Sequence, residues 1–275
     1  MIEIPEAITL SCQINETLRG KKINDVITNQ SPHKFAWYYG EPSEYNSKLN
    51  GKIIEKAYSY GGFVEISLGD IRLLLGDGVN LRYFNKGQKL PQKHQLLIQF
   101  DDYSSLVASI QMYGGIWCFK DGEFDNIYYK LAKEKPSPLS EDFDFKHYKK
   151  IISDEKLQKK SIKFLLATEQ RIPGLGNGIL QDILFNAKIH PKRKRTTLSD
   201  EEIEGLYYSI KSTLDEMVAK GGRDTEKDLF GCSGGYTTKL SKKTVKEPCK
   251  ICGNNIIKEA YLGGSIYYCK GCQYY

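Results

Sequence analysis

The sequence predicts an α+β protein of two domains, in which an N-terminal helix plus β-sandwich precede a helical domain that ends in a metal-stapled β-hairpin. Three observations carry this expectation. From residue 21 to about 131 the chain runs in short β-type stretches separated by Gly, Asp and Asn. Beyond residue 144 the apolar spacing becomes helical. Of the seven cysteines, four fall in the last 27 residues as two C-x2-C pairs. A chain of 275 residues is long enough for two such units to bury separate cores without disulfides.

The first element, PEAITLSCQINETLR (5–19), places Ile8, Leu10, Ile14 and Leu18 at helical spacing, with Pro5 in the first turn where a missing N–H costs nothing. Glu3 and Glu6 flank Pro5. A carboxylate there is either an ordinary favourable charge at a helix N-terminus or a reactive group beside the chain end. KIIEKAYSY, GFVEISLG, IRLLLGDG, QLLIQF and SSLVASIQMYGGIWCF then read as strands of the sandwich. KEKPSPLSEDFD (133–144), with two prolines amid charges, reads as a linker. FKHYKKIISDEKLQKKSIKFLLATEQ reads as a helix, and so does LSDEEIEGLYYSIKSTLDEMVAKGG, with Ser199 as N-cap, Glu202 three residues on and Gly221 as the stop. GNNIIKEAYLGGSIYY alternates like a hairpin with its turn near GGS. The expected units are 1–132, 145–225 and 245–275.

Forty basic against 34 acidic side chains leave a net charge of +6, a mild preference for polyanions. KIHPKRKR (188–195) carries five Lys or Arg and no acid, either a solvated face or part of a nucleic-acid surface through residues such as Lys192. No apolar stretch reaches the roughly 18 residues of a membrane helix, and the N-terminus lacks a signal-peptide layout. A cytoplasmic protein is expected.

Cys249, Cys252, Cys269 and Cys272 give C-x2-C-x16-C-x2-C, a spacing that presents four thiolates tetrahedrally to one structural Zn2+, with iron as the chemical alternative. PGLGNGILQDILF sets Gly174, Gly176 and Gly178 around Asn177 ahead of a helix. Such a turn either exposes amides to a phosphate or serves as a tight interhelical connection. It is not a Walker loop, because no Gly-Lys-Ser/Thr follows.

The acidic amino terminus, QRIPGLGNGILQDILFNAKIHP and the terminal GGSIYYCKGCQ together resemble the formamidopyrimidine-DNA glycosylase and endonuclease VIII family, over essentially the whole chain. The resemblance implies a β-sandwich lobe, a helix-two-turns-helix module and a zinc hairpin that hold double-stranded DNA with a damaged or abasic nucleotide, as a monomer. It implies Asn177 and Gly176 as phosphate-binding residues, the four cysteines as zinc ligands, Glu3 as the acidic catalytic residue and Glu6 as its support. GGRDTEKDLFGCSGGYTTKLSKKTVKEPC (221–249) is similar to the loop and approach segment before the hairpin. Arg223 and Asp224 there either read a base edge or pair with one another.

The departures from the family pattern are specific. Ile2 stands in the place of the proline whose amine attacks the sugar, and a large second residue keeps Met1, which displaces the amine by one residue and makes it primary. Ser59 stands for a phosphate-contacting lysine, Gly264 for the hairpin arginine, and Asp77 for a gap-filling methionine. Met112 and Tyr113 replace an Arg-Phe pair, either as wedges between bases or as core. Two functions follow: a base-excision glycosylase of altered mechanism, with AP lyase activity dependent on a substitute amine such as Met1, or a reader of damaged DNA that does not cut. RNA or protein binding is a third class.

Overall fold

The computed structural model describes residues 1–275. Helix α1 (Ile4–Thr17) opens the chain with Pro5 in its first turn and buries Ala7, Leu10 and Ile14. Strand β1 (Ile23–Thr28), the short β2 (Ala36–Tyr38) and helix α2 (Tyr45–Leu49) follow. Then come β3 (Lys56–Tyr60), β4 (Phe63–Leu68), β5 (Ile71–Phe84), β6 (Leu96–Phe100) and β7 (Ser105–Lys120). All belong to one seven-stranded sheet in the order β1-β6-β7-β5-β4-β3, with β2 added parallel to β7.

The sandwich is therefore one sheet bent over its own core rather than two separate sheets. The long strands β5 and β7 run through both layers, and Leu73, Leu75, Val79 and Leu81 of one meet Leu106, Ala108, Ile116 and Cys118 of the other in a single cluster with α1. The bend has a visible cause. Asp77 pairs with Gly114 but Val79 pairs with Ile110, so β7 carries extra residues at 111–113 and bulges there. Gly78 is required at this crossing because a Cβ would strike the Tyr113 carbonyl. On the outer face Leu74, Trp117 and Phe119 pack against Tyr129 of helix α3 (Ile127–Glu134), which runs through the expected boundary at 132.

The second lobe contains α4 (Phe145–Ile152), α5 (Ile162–Ala167), α6 (Asn177–Asn186) and α7 (Asp200–Ala219). The single helix expected over 145–170 is broken. Asp154 accepts from the Lys156 N–H and caps a short 3-10 turn, and Ser161 accepts from the Phe164 N–H and starts α5. Helix α7 begins as its capping box predicts, with Ser199 and Glu202 exchanging hydrogen bonds at 3.2 and 2.9 Å. Strands β8 (Ile256–Tyr261) and β9 (Gly264–Cys269) form the terminal hairpin. Its turn residues Leu262 and Gly263 both have positive φ, the geometry a two-residue hairpin turn requires.

Three contacts fasten the lobes together. Ile2 is buried in the sheet core and Ile4 in the helical core, so the first residues are threaded between the two. The Ile2 N–H donates to the Asp77 carbonyl at 2.7 Å and the Ile4 N–H to the Gly174 carbonyl at 3.2 Å. The turn at Gly61 and Gly62 packs directly on Pro173 and Gly174. The third contact is a strap after α7, in which Leu229 is buried in the sheet core and the Tyr83 N–H donates to its carbonyl at 2.8 Å.

Gly174 is fixed by conformation and space together, since its φ is +76° and a Cβ would fall inside the Gly61–Gly62 backbone. Gly174→Ala should lower stability by about 2 to 4 kcal/mol in chemical denaturation, the sum of a strained backbone and overpacking. Gly20→Ala, with φ +85° but nothing within 4 Å, should lose only about 1 kcal/mol. Equal losses would show that the lobe contact carries no packing constraint.

Candidate functional site

The chain end, helix α6 and the strap converge on Glu3. Its carboxylate accepts the Gly178 N–H on one oxygen and the Ile179 N–H on the other, both at 2.8 Å. Glu3 thus satisfies amides at the N-terminus of a helix in the opposite lobe, where the N-cap, Gly176, has no side chain to do so. Arg223 lies alongside, with Nη1 3.3 Å from Glu3 Oε2. Its Nε and Nη2 donate to the two oxygens of Glu6 at 2.9 and 2.7 Å. Glu6 in turn accepts from the Glu3 N–H at 3.3 Å. All three side chains are buried, Glu3 and Arg223 to 3 % exposure.

This arrangement sets the charges. Burial pushes the Glu3 carboxyl above the ordinary carboxylate range, and Arg223 and the two amides pull back only part of the way. Burial also works against the Arg223 charge, but Glu3 and Glu6 outweigh it and hold the guanidinium firmly protonated. A carboxyl raised in this way is able to carry a proton at higher pH than a free glutamate.

One expectation is corrected here. Arg223, expected to face DNA or to pair with Asp224, is turned inward because two buried carboxylates need its charge. Asp224 instead accepts from Thr238 and pairs with Lys243. A Cβ at Gly176 would strike the Glu3 carboxylate. At Gly178 a Cβ would strike Arg223. The glycines admit the protein's own ion cluster.

Met1 is 41 % exposed, and its amine pairs with Glu226 of the strap. The Tyr113 hydroxyl donates to Met1 Sδ at 3.8 Å. Tyr113 is half-buried on the β7 bulge and Met112 beside it is 69 % exposed, which removes Met112 from the core. Asp77, whose carbonyl holds Ile2, has a left-handed φ of 59°, and burial raises its carboxyl. Between α1 and the strap, beside Glu6 and Arg223, lies a cavity of about 10 Å³, room for one water.

Asn177 reaches the hairpin, its Nδ2 donating to the Ser265 carbonyl at 2.8 Å. Lys192 is paired with Glu259 of β8, so the basic run meets an acidic partner at this point. The Sγ atoms of Cys249, Cys252, Cys269 and Cys272 all lie within 4.8 Å of one another, with Cys249–Cys272 at 3.7 Å and Cys252–Cys269 at 3.3 Å. Four sulfurs about 2.3 Å from one tetrahedral ion would stand about 3.8 Å apart, so the cluster fits a bound metal ion.

Glu226 was not legible as a site residue. GGRDTEKD offers three acids, and only the path of the strap selects the one that meets the chain end.

The formamidopyrimidine-DNA glycosylase H2TH domain matches residues 135–228. A formamidopyrimidine-DNA glycosylase of Listeria innocua serovar 6a is 30% identical over 99% of this chain and 100% of its own length. One from Prochlorococcus marinus strain MIT 9312 is 34% identical over 66% of this chain and 64% of its own. Among solved structures, the Lactococcus lactis Fpg bound to an abasic-site-containing DNA superposes with a TM-score of 0.83 at 24% identity, covering 99% of this chain and all of that one. MutM (Fpg) from Thermus thermophilus superposes at 0.80 with 22% identity, over 98% of each chain. The structural likenesses establish the two-lobed fold and its terminal hairpin, and with a relative of that identity along its full length the chain belongs to the formamidopyrimidine-DNA glycosylase and endonuclease VIII family.

Proposed function

We propose that the protein is a base-excision DNA glycosylase that binds duplex DNA with a damaged or abasic nucleotide between its two lobes and reacts without the family's proline. The observation that carries this reading is Glu3, buried at the N-terminus of α6 with its carboxyl raised by burial, two residues from a partly exposed Met1 whose amine pairs with Glu226. In the proposed step the Met1 ammonium gives a proton to Glu226, its nitrogen bonds to C1′, the bond from C1′ to the base breaks, and Glu3 protonates the departing base. Burial favours the donor role of Glu3, whereas the Gly178 and Ile179 amides and Arg223 favour its charged form. The extruded nucleotide would approach from the Met1 and Tyr113 side, since the cavity behind Glu6 holds only water. Asn177 and Lys192 we place as phosphate contacts at the edge of the cleft.

A second reading, binding of damaged DNA without cutting, is favoured by the same saturation of Glu3 and by the ion pair that occupies the Met1 amine. Borohydride trapping on abasic duplex separates the two. A covalent adduct on the N-terminal peptide is expected, and Glu3→Gln should abolish base release from modified duplexes while DNA affinity survives. Base release without an adduct would remove Met1 from the mechanism, and neither release nor adduct would leave a reader.

The pH dependence has a definite sign. A donor with a raised pKa is active below that pKa, so single-turnover base release should fall as pH rises through it. A rate that instead climbs across this range would make loss of the Met1 proton, rather than donation by Glu3, the limiting requirement.

We assign the four-cysteine cluster to a single structural Zn2+. Beyond the cysteines the buried cluster here holds only Ile256 of the hairpin, with Phe185 of α6 and Leu240 of the approach segment, too little for the hairpin to fold unaided. Purified protein should contain one zinc per chain, and Cys269→Ser should lower both zinc content and DNA affinity with the sheet lobe still folded. Full DNA affinity in the metal-free variant would remove the hairpin from the interface.

A further inference from the structure

We propose that Phe35 and Trp37 form a stacking platform for nucleobases that have lost their partner in duplex DNA, next to the chain end. This deepens the reading above and rests on it.

The platform follows from the shortest strand of the sheet. Strand β2 adds to β7 in parallel register, with Ala36 opposite Gly114 and Trp37 opposite Gly115. Alternation along it turns Ala36 and Tyr38 onto the sheet core and leaves Phe35 and Trp37 facing out, 48 % and 44 % exposed. The Phe35 carbonyl accepts the Gly114 N–H at 3.0 Å, so the segment is fixed along β7 just past the bulge that carries Met112 and Tyr113. The Trp37 ring lies 5.7 Å from that of Tyr113, tilted by 38°. Tyr113 in turn contacts Met1. Trp37 and Tyr113 therefore form a ring pair that ends at the Met1 side chain, with Phe35 on the same face of the β2 segment.

Single exposed apolar residues are common on protein surfaces, whereas neighbouring flat rings backed by a rigid ladder are not. Each ring is only about half covered, so part of its burial free energy is still to be gained from a partner. The occupant is identified by shape, charge and continuity. Aromatic faces stack on any base without sequence preference. Lys34 stands 5.4 Å over the Phe35 ring and supplies the positive charge that a phosphate backbone meets and an apolar peptide does not need. The pair also adjoins the bulge where a nucleotide withdrawn from the stack would leave its neighbours unsupported.

The chain has two tryptophans, Trp37 and the buried Trp117, which gives a direct readout. In a Trp117→Phe background, Trp37 emission should be quenched on titration with a duplex containing a tetrahydrofuran abasic analogue, and much less with the intact duplex. Trp37→Ala should weaken binding of the abasic duplex about tenfold and leave the intact duplex within twofold. Phe35→Ala should act in the same direction, and unchanged melting temperatures would confirm that both exposed positions leave the fold intact. Unchanged abasic-duplex affinity in Trp37→Ala with unquenched emission at saturation would overturn the platform while leaving the DNA reading in place. A wild-type protein that binds neither duplex would overturn both. A change in oligomer size on Trp37→Ala without change in DNA affinity would assign the rings to a second copy of the chain and overturn the proposal.

Discussion

The structure depends on one carboxylate placed across a lobe boundary. Glu3 belongs to the first turn of the chain, yet its oxygens serve the amides of Gly178 and Ile179, 175 and 176 residues away. A buried carboxylate is costly unless every lone pair finds a donor and the charge a partner. Two amides at a helix N-terminus and the Arg223 guanidinium supply both. Gly176 and Gly178 are then obligatory, because any side chain at either would occupy the space of the cluster. The catalytic expectation and the glycine turn, separate features in the sequence, are two ends of the same contact.

The cluster also explains why the strap follows its particular path. Arg223 leaves α7 and turns toward Glu6, Asp224 still bonds Tyr236 of the helical core, and from Asp228 the chain runs onto the sheet lobe. Asp228 accepts from Gln13 at 2.9 Å, Arg82 donates to the Asp228 carbonyl at 2.8 Å, and Leu229 drops into the sheet core. Together with the Gly61–Gly174 contact and the threaded Ile2 and Ile4, this leaves the lobes little freedom to rotate. A duplex held between them would have to deform more than the protein does, which suits a site that selects weakened positions in DNA.

What was legible in the sequence was what is local. Ser199 and Glu202 sit three residues apart and cap their own helix, the cysteine spacing is a property of two turns, and Leu262 with Gly263 closes its own hairpin. Strand β2 was not legible because three residues of Ala-Trp-Tyr have no period to detect, and its partner is β7, more than 70 residues on. The broken helix over 145–170 was missed since Asp154 and Ser161 are tolerable in a helix as well as suited to a cap. Arg223 was read outward for a related reason. Its neighbour Asp224 offered a plausible local partner, whereas Glu3 and Glu6 are reached only through the fold.

The replacement of proline by Ile2 is best understood through burial. Ile2 is a core residue of the sheet lobe, and its N–H is spent on the Asp77 carbonyl. A proline in that place would have no N–H for the Asp77 carbonyl, so isoleucine suits the position by both its side chain and its N–H. The side chain anchors the segment and the N–H fixes its direction, with the result that Met1 emerges at one defined point beside Tyr113. Glu226 pairs with the Met1 amine and is itself carried by the strap. The first residue and a loop anchored by Leu229 thus meet at one point, so the placement of the chain end depends on the strap.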